Sequence, residues 1–180
     1  MLNTYRRKMF ILFTMTRKRL PLLLQFLIFF LPLNFYMWGD WVLVNAQWAL
    51  FRYQQSVYGT SLIPGYKDIV YIYLGQTTGW YNIAAALFWA SGAVILLIGL
   101  YYTVLGYFNE ESCKIRTASY FTMTGGIFLC LSALSRFFGG FAIPVGIPII
   151  LIIGWWMYQE NFEPSDTGKE SDDEEISVPE

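Results

Sequence analysis

The stretch that decides the fold is Trp80–Phe108, which reads WYNIAAALFWASGAVILLIGLYYTVLGYF. From Tyr81 onward it contains no charged residue, and at a rise of about 1.5 Å per residue a helix of this length can cross a bilayer. Small residues recur in it every seven positions, at Ala85, Gly92, Gly99 and Gly106. On a helix this spacing places the small side chains along one stripe, so that a neighbouring helix can approach closely.

The next apolar stretch carries two rows with the same spacing. One row is Ala118, Gly125, Ser132 and Gly139, and the other is Ser119, Gly126, Ala133 and Gly140. We predict that all three rows are helix-packing positions. The connection between the two stretches, 109–116, is short and charged, which predicts an antiparallel hairpin. Two rows on one helix can serve two neighbours, either the adjoining spans of the same chain or a partner subunit.

The composition indicates a membrane protein. Of 180 residues, 56% are hydrophobic and only 14% are charged, and the mean hydropathy is +0.42. A soluble domain of this size could not bury so much apolar surface. The expected fold is therefore an all-α integral membrane protein with four transmembrane helices, at about 20–38, 81–108, 117–137 and 139–158. Residues 20–158 form its membrane domain.

Two of these predicted spans have alternatives. Residues 20–38 follow a basic segment, as a cleavable signal peptide would, but they lack a small-x-small cleavage site, which favours a retained signal-anchor. Pro32 is expected to kink this span. Around 139–149 the sequence leaves little room for an external loop, so the alternative to a clean crossing there is a re-entrant turn.

Residues 39–79 form a 40-residue aromatic outer region between the first two spans. Trp41, Val44, Trp48 and Phe51 recur at helical spacing, and Ile69–Leu74 has the composition of a strand or a re-entrant segment. The region is either an aromatic cap on the bundle or a surface that docks a partner or ligand. The candidate contact residues are Trp48, Tyr53, Tyr58, Tyr66, Tyr71, Tyr73 and Arg136, and Arg136 either pairs with Asp40 or Asp68 or extends to the interface.

The basic residues predict the orientation. Six of the twelve lie in 1–19, and together with Lys114, Arg116 and Lys169 they place nine on the cytoplasmic side if the N-terminus is inside, against three outside. The positive-inside rule therefore predicts that both termini are cytoplasmic, and we expect the plasma membrane. Residues 1–19 are expected to be a basic cytoplasmic segment, and 159–180 an acidic, disordered cytoplasmic tail.

The inventory of reactive groups is sparse. The chain has no histidine and two cysteines, Cys113 and Cys130, in different predicted environments. It has no Gly-x-Ser-x-Gly, P-loop or Gly-x-Gly-x-x-Gly motif, and no acidic residue lies inside a predicted span. We therefore expect no catalytic residues, no cofactor, no metal site and no nucleic-acid partner.

These observations favour a small multi-pass membrane protein that acts as an interaction, scaffold or accessory subunit of a membrane complex. Its expected partners are the lipid bilayer and other membrane protein subunits or copies of itself. The alternative is an oligomeric transporter or channel component for a small solute, suggested by the glycine-rich faces. A third hypothesis is a membrane-embedded lipid-modifying enzyme, whose acid–base groups would have to come from Asp40, Asp68 or Arg136.

Overall fold

The computed structural model describes residues 19–38, 43–109 and 111–160. Within these ranges the helices are α1 (Arg19–Phe30), α2 (Gly65–Tyr73), α3 (Trp80–Asn109), α4 (Ser112–Phe137) and α5 (Ile147–Glu160). The strands are β1 (Asn34–Trp38), β2 (Leu43–Gln47), β3 (Phe51–Ser56), β4 (Gly59–Pro64) and β5 (Phe141–Ile143). Among the described residues, α3 and α4 are the two helices long and apolar enough to cross a membrane.

Helices α3 and α4 pack against each other as an antiparallel hairpin. A Cβ added at Gly92 would lie 3.1 Å from the carbonyl oxygen of Gly125, and one added at Gly125 would lie 3.2 Å from that of Gly92. One level along the pair, the hydroxyl of Ser132 donates a 2.7 Å hydrogen bond to the carbonyl oxygen of Ala85. The two backbones approach this closely because small residues meet small residues.

Helix α1 contributes a buried amide to the hairpin. The side chain of Gln25 is fully buried, accepts a 3.0 Å hydrogen bond from the hydroxyl of Thr122 in α4, and reaches the carbonyl oxygen of Leu96 in α3 at 3.5 Å. A Cβ added at Gly99 would lie 3.2 Å from the side-chain nitrogen Nε2 of Gln25. Gln25 therefore joins three helices through hydrogen bonds in an otherwise apolar bundle.

The five strands form one antiparallel sheet with the order β4-β3-β2-β1-β5. The register places two kinds of row across it. One row reads Ala142, Tyr36, Asn45, Gln54 and Ser61, and the row behind it on the opposite face reads Ile143, Phe35, Ala46, Tyr53 and Leu62. The first face, which also carries Arg52, holds the buried polar side chains, so this sheet buries polar groups where most sheets bury apolar ones.

Trp89 attaches the sheet to the hairpin. It is almost completely buried in α3, and its indole nitrogen donates a 2.9 Å hydrogen bond to the carbonyl oxygen of Trp48, just after β2. Gly65, at the start of α2, lies so close to the Trp89 ring that an added Cβ would come within 2.9 Å of it. The sheet, α2 and α3 consequently meet at one tryptophan.

The prediction of an all-α fold with four spans is wrong, because the structure contains a five-stranded sheet and only two helices with the properties of a span among the described residues. The predicted first span, 20–38, ends as a helix at Phe30, and 34–38 is β1. Pro32 accounts for the end, since proline disfavours helix for the residue before it and cannot donate a backbone hydrogen bond. It terminates α1 rather than kinking it.

The predicted fourth span, 139–158, is also wrong, because part of it is a strand and the helix that follows is short. Residues Phe141–Ile143 pair with β1 as β5, and α5 begins only at Ile147. The 14 residues of α5 make a helix of roughly 21 Å, which is shorter than the hydrocarbon core of about 30 Å. The alternative of a re-entrant turn did not anticipate a strand either.

The outer region also differs from its prediction. Residues 43–47 and 51–56 are strands, not a helix built on Trp48 and Phe51, and Ile69–Tyr73 belongs to helix α2, not to a strand. The expectations for the basic segment 1–19, the acidic tail 159–180 and the pairing of Arg136 with Asp40 fall mainly or wholly outside the described residues.

Candidate functional site

A cavity of about 350 Å³ lies between the polar face of the sheet, α2, the loop after α2 and the adjoining ends of α3 and α4. Residues distant in sequence supply its walls. The lining residues are Tyr36, Leu43, Asn45, Arg52, Gln54, Asp68, Tyr71, Gln76, Thr77, Thr78, Asn82, Ala86 and Arg136. Gln76 and Thr78 in the loop are exposed, so the cavity reaches the surface there.

Arg52 and Asp68 form a mostly buried ion pair on one wall. The guanidinium donates through Nε at 3.1 Å and through Nη2 at 2.9 Å to the same carboxylate oxygen, Oδ1 of Asp68. Its third nitrogen, Nη1, donates to the side-chain oxygens of Asn45 at 3.0 Å and Gln54 at 2.8 Å. This network satisfies the cation and fixes the orientation of both amides.

The surroundings keep Arg52 charged. Burial by itself lowers the pKa of the Arg52 guanidinium, but Tyr36 and the carboxylate of Asp68 raise it by more, so that the pKa lies above its usual value. Its positive charge is therefore a permanent property of the cavity wall.

Arg136 is the second cation of the cavity, and among the described residues it lacks a comparable partner. It lies in the last turn of α4, is only 6% exposed, and stacks its guanidinium carbon 4.0 Å from the centre of the Tyr36 ring. Its Nε has no hydrogen-bond partner, and no carboxylate of the described residues forms a salt bridge with it. The ring of Tyr36 and the negative end of the α4 dipole offset part of the cost of burying this charge.

Two buried amides on the lining each leave one polar atom without a partner. Asn45 is fully buried; because its oxygen accepts from Arg52, the amide nitrogen Nδ2 is the unbonded atom. Asn82 donates from Nδ2 to the carbonyl oxygen of Thr78 at 2.7 Å, which leaves Oδ1 unbonded. The bonds already made assign which atom of each amide is free.

These free atoms determine what the cavity can do. Arg136 Nε and Asn45 Nδ2 are donors, Asn82 Oδ1 is an acceptor, and a buried polar atom without a partner costs about 1–3 kcal/mol. Asp68 is the only carboxylate among the described residues of the lining, and it is already bonded to Arg52. The part of the chain that the structure describes contains no group of three or more histidine, cysteine or acidic residues that could hold a metal ion. The arrangement is suited to bind a small polar molecule.

Two of the seven predicted contact residues line the cavity. Tyr71 and Arg136 line the cavity, whereas Trp48 donates to the carbonyl oxygen of Phe30 and stacks on Phe51. The remaining four are exposed at separate places. Tyr53 lies in β3, Tyr58 in the β3–β4 turn, and Tyr66 and Tyr73 in α2.

The three small-residue rows lie as follows. The α3 row of Ala85, Gly92, Gly99 and Gly106 is buried, and it faces the α4 row at Ala118, Gly125 and Ser132. The second α4 row is buried at Ser119, Gly126 and Ala133, and Gly126 faces Leu151 of α5. Gly139 and Gly140 lie beyond the end of α4, in the turn before β5.

Sequence reasoning missed Tyr36, Asn45, Arg52 and Asn82 as site residues, and considered Asp68 as a partner of Arg136 or as an acid–base group of an enzyme. One signal was present: polar residues alternate at Asn45 and Gln47 and again at Arg52 and Gln54, which is the period of a strand with one polar face.

The site therefore combines two arginines, one carboxylate and three unbonded polar atoms of buried side chains around one cavity. A comparison of the chain with protein-family models, with curated proteins and with solved structures finds no match.

Proposed function

We propose that this chain is a multi-pass membrane protein in which α3 and α4 cross the bilayer as a hairpin, and that the cavity at one end of the hairpin binds a small polar ligand. The observation that carries the binding function is the set of unbonded atoms on Arg136, Asn45 and Asn82, all belonging to residues that line one cavity. Buried polar atoms normally have partners, and a ligand would supply them here.

The surface of the hairpin supports its place in a membrane. Large apolar side chains remain exposed along α3 at Val94, Leu97 and Tyr101, and along α4 at Ile127 and Leu134. Contiguous apolar surface of this kind is stable in contact with lipid. The two helices have mean hydropathies of 2.3 and 1.3.

The orientation follows from the positive charges. Lys114 and Arg116 lie at the hairpin turn, which the positive-inside rule assigns to the cytoplasm. The sheet and its cavity then lie on the outer side, and the plasma membrane is the membrane that we propose.

Cysteine labelling tests the orientation. Cys113 is exposed at the turn and is a natural label; Tyr66→Cys, in a Cys113→Ser background, places a thiol on the exposed side of α2. In intact cells an impermeant maleimide should label the Tyr66→Cys variant, whereas Cys113 should react only after permeabilisation. Equal labelling of both without permeabilisation would refute the proposed hairpin crossing.

A cavity-filling variant tests the binding function. Ala86 lines the cavity from α3, so Ala86→Phe would occupy ligand space, whereas Ala84→Phe on the same helix adds an equal side chain at a position that does not line it. Native mass spectrometry of the mildly extracted protein should show a bound small molecule on the wild type and on Ala84→Phe but not on Ala86→Phe. An identical spectrum for all three proteins would refute the function.

A second candidate function is an interaction subunit of a membrane complex. It is favoured by the apolar face of the sheet, on which Tyr53, Leu62 and Ile143 lie in one row and are all exposed. Co-purification of a stoichiometric partner that is lost on Leu62→Asp, with folding unchanged, would establish it. The glycine rows lend no support to a solute pathway within one chain, because side chains such as Leu129 fill the space beside them.

A further inference from the structure

We infer that the ligand of this cavity is a singly charged oxyanion that carries a neighbouring hydroxyl group. This inference rests on the proposed binding function and specifies its ligand. Carboxylates and phosphodiesters share the required chemistry, whether they belong to a soluble hydroxy acid or to the head group of a lipid.

The charge of the lining indicates an anion. Among the described residues, its charged members are Arg52, Asp68 and Arg136, two cations and one carboxylate, which leaves one net positive charge. Arg52 and Asp68 neutralise each other at 2.9 Å, so the unmatched charge resides on Arg136. A cation as buried as Arg136 is stabilised strongly by an anion in contact with it, and one negative charge is enough to balance the cavity.

The unbonded donors indicate where the anion lies. Arg136 Nε and Asn45 Nδ2 are both donors, and an oxyanion has several lone pairs with which to accept from both. Arg52 holds the amide of Asn45 by its oxygen, and the ring of Tyr36 supports the guanidinium of Arg136. Such preorganisation reduces the entropy that binding would otherwise cost.

The remaining free atom requires a different partner. Asn82 Oδ1 is an acceptor, so an anion oxygen would be repelled there and a hydroxyl group would be favoured. Thr77 and Thr78 border the same side of the cavity and provide further groups able to bond to a hydroxyl. The volume of about 350 Å³ lies at the lower end of the range of roughly 300–1,000 Å³ for ligand sites, which suits a small head group or acid.

The experiment uses the full chain in nanodiscs of phosphatidylcholine, which has no net charge. Isothermal titration with glycerate, glycerophosphoglycerol, acetate and glycerol compares hydroxylated anions with an anion lacking the hydroxyl and with a neutral polyol. A parallel set of nanodiscs contains phosphatidylglycerol, which presents the same phosphodiester and hydroxyls on a lipid. We expect a hydroxylated anion to bind at least about tenfold more tightly than acetate and glycerol.

The two sets of nanodiscs distinguish the sources. Binding of soluble glycerate or glycerophosphoglycerol identifies a soluble ligand. If only phosphatidylglycerol raises the melting temperature and is retained in native mass spectra, the anion is a lipid head group. Both outcomes support the inference.

The variant that removes the charge is Arg136→Gln, with Lys67→Gln as its control, because Lys67 is exposed on α2 and does not line the cavity. Affinity for the anion should fall at least about tenfold in Arg136→Gln and stay unchanged in Lys67→Gln. Without ligand, Arg136→Gln should be no less stable than the wild type, since it removes a buried charge that has no ionic partner among the described residues. If Arg136 had a purely structural role, Arg136→Gln would instead be less stable than the wild type.

Two results would overturn the inference without relying on any variant. Glycerol binding as tightly as glycerate would show that the site ignores charge; it would leave the proposed binding function intact. Failure of every anion, soluble or lipid, to bind the wild type would refute the anionic ligand, and the mass-spectrometric comparison of Ala86→Phe with Ala84→Phe would then decide separately whether the cavity binds anything.

Discussion

The substitution Gly92→Leu tests the packing of the hairpin most directly. A Cβ at this position would lie 3.0 Å from Cγ of Leu129 and 3.1 Å from the backbone oxygen of Gly125. Carbon atoms pack best at about 3.5–4.0 Å, and the backbone oxygen cannot turn aside. The two helices must therefore separate by roughly 0.5–1 Å, and such a gap forfeits a quarter to a half of the dispersion energy of each affected contact.

This separation sets the expected magnitude. Overpacking costs about 1–3 kcal/mol for added methylene groups, and a leucine side chain against a backbone oxygen belongs at the upper end, near 3 kcal/mol. For a chain of this length that corresponds to a fall in melting temperature of roughly 6–12 °C.

The matched control is Ser91→Leu, which adds the same side chain at the neighbouring, exposed position of α3. Melting temperatures of the three proteins in one detergent should separate Gly92→Leu from the wild type and from the control. Equal melting temperatures for Gly92→Leu and Ser91→Leu would refute the reasoning that small residues set the distance between the helices.

Two further substitutions test the sheet and its cavity. Asp68→Asn removes the carboxylate that neutralises Arg52, so the protein should lose about 3 kcal/mol of stability while an anion in the cavity binds more tightly. Thermal melting measures the first effect and titration the second, and unchanged values would contradict the charge balance. Trp89→Phe deletes the 2.9 Å hydrogen bond to the carbonyl oxygen of Trp48 and should lower the stability of the protein by about 1 kcal/mol. Trp80→Phe, at an exposed position, should melt like the wild type. An equal loss of stability in both variants would show that the effect does not come from that hydrogen bond.

The hairpin is the part of the fold that sequence reasoning could approach. The uncharged run after Tyr81 predicts one long helix, and α3 covers Trp80–Asn109. The seven-residue spacing of Gly92 and Gly99 is visible because helical packing depends on a local period. Both signals reside within one element, so they need no knowledge of distant residues.

The sheet escaped prediction because its pattern is reversed. Ordinary strands are recognised by apolar residues on the buried face, but here Asn45 and Arg52 face inward and Phe35 and Leu62 lie on the other face. Large apolar residues, Trp48 among them, also happened to match a helical spacing. Because the polar side chains lie on the buried face, the spacing of the apolar residues favoured a helix where the structure has strands.

The site could not be predicted because its partners are remote in the chain. Tyr36 supports Arg136 from β1, although the sequence between them contains three further strands and most of two long helices. No local period connects such residues. Only the register of the sheet and the length of the hairpin bring them together.

The position of β5 has a consequence for the order of assembly. Strands β1 to β4 follow one another in the chain and pair with their neighbours, so they can form as soon as they are synthesised. β5 pairs with β1 only after α3 and α4 have been made and have returned the chain to the sheet, because Phe35 pairs with Ile143 across the whole hairpin. Arg136, in the last turn of α4, precedes β5 in the chain and reaches Tyr36 only when the hairpin has returned to the sheet. The cavity therefore needs the whole of α4, and a chain that stops short of Arg136 carries the ion pair of Arg52 but lacks the second cation of the cavity.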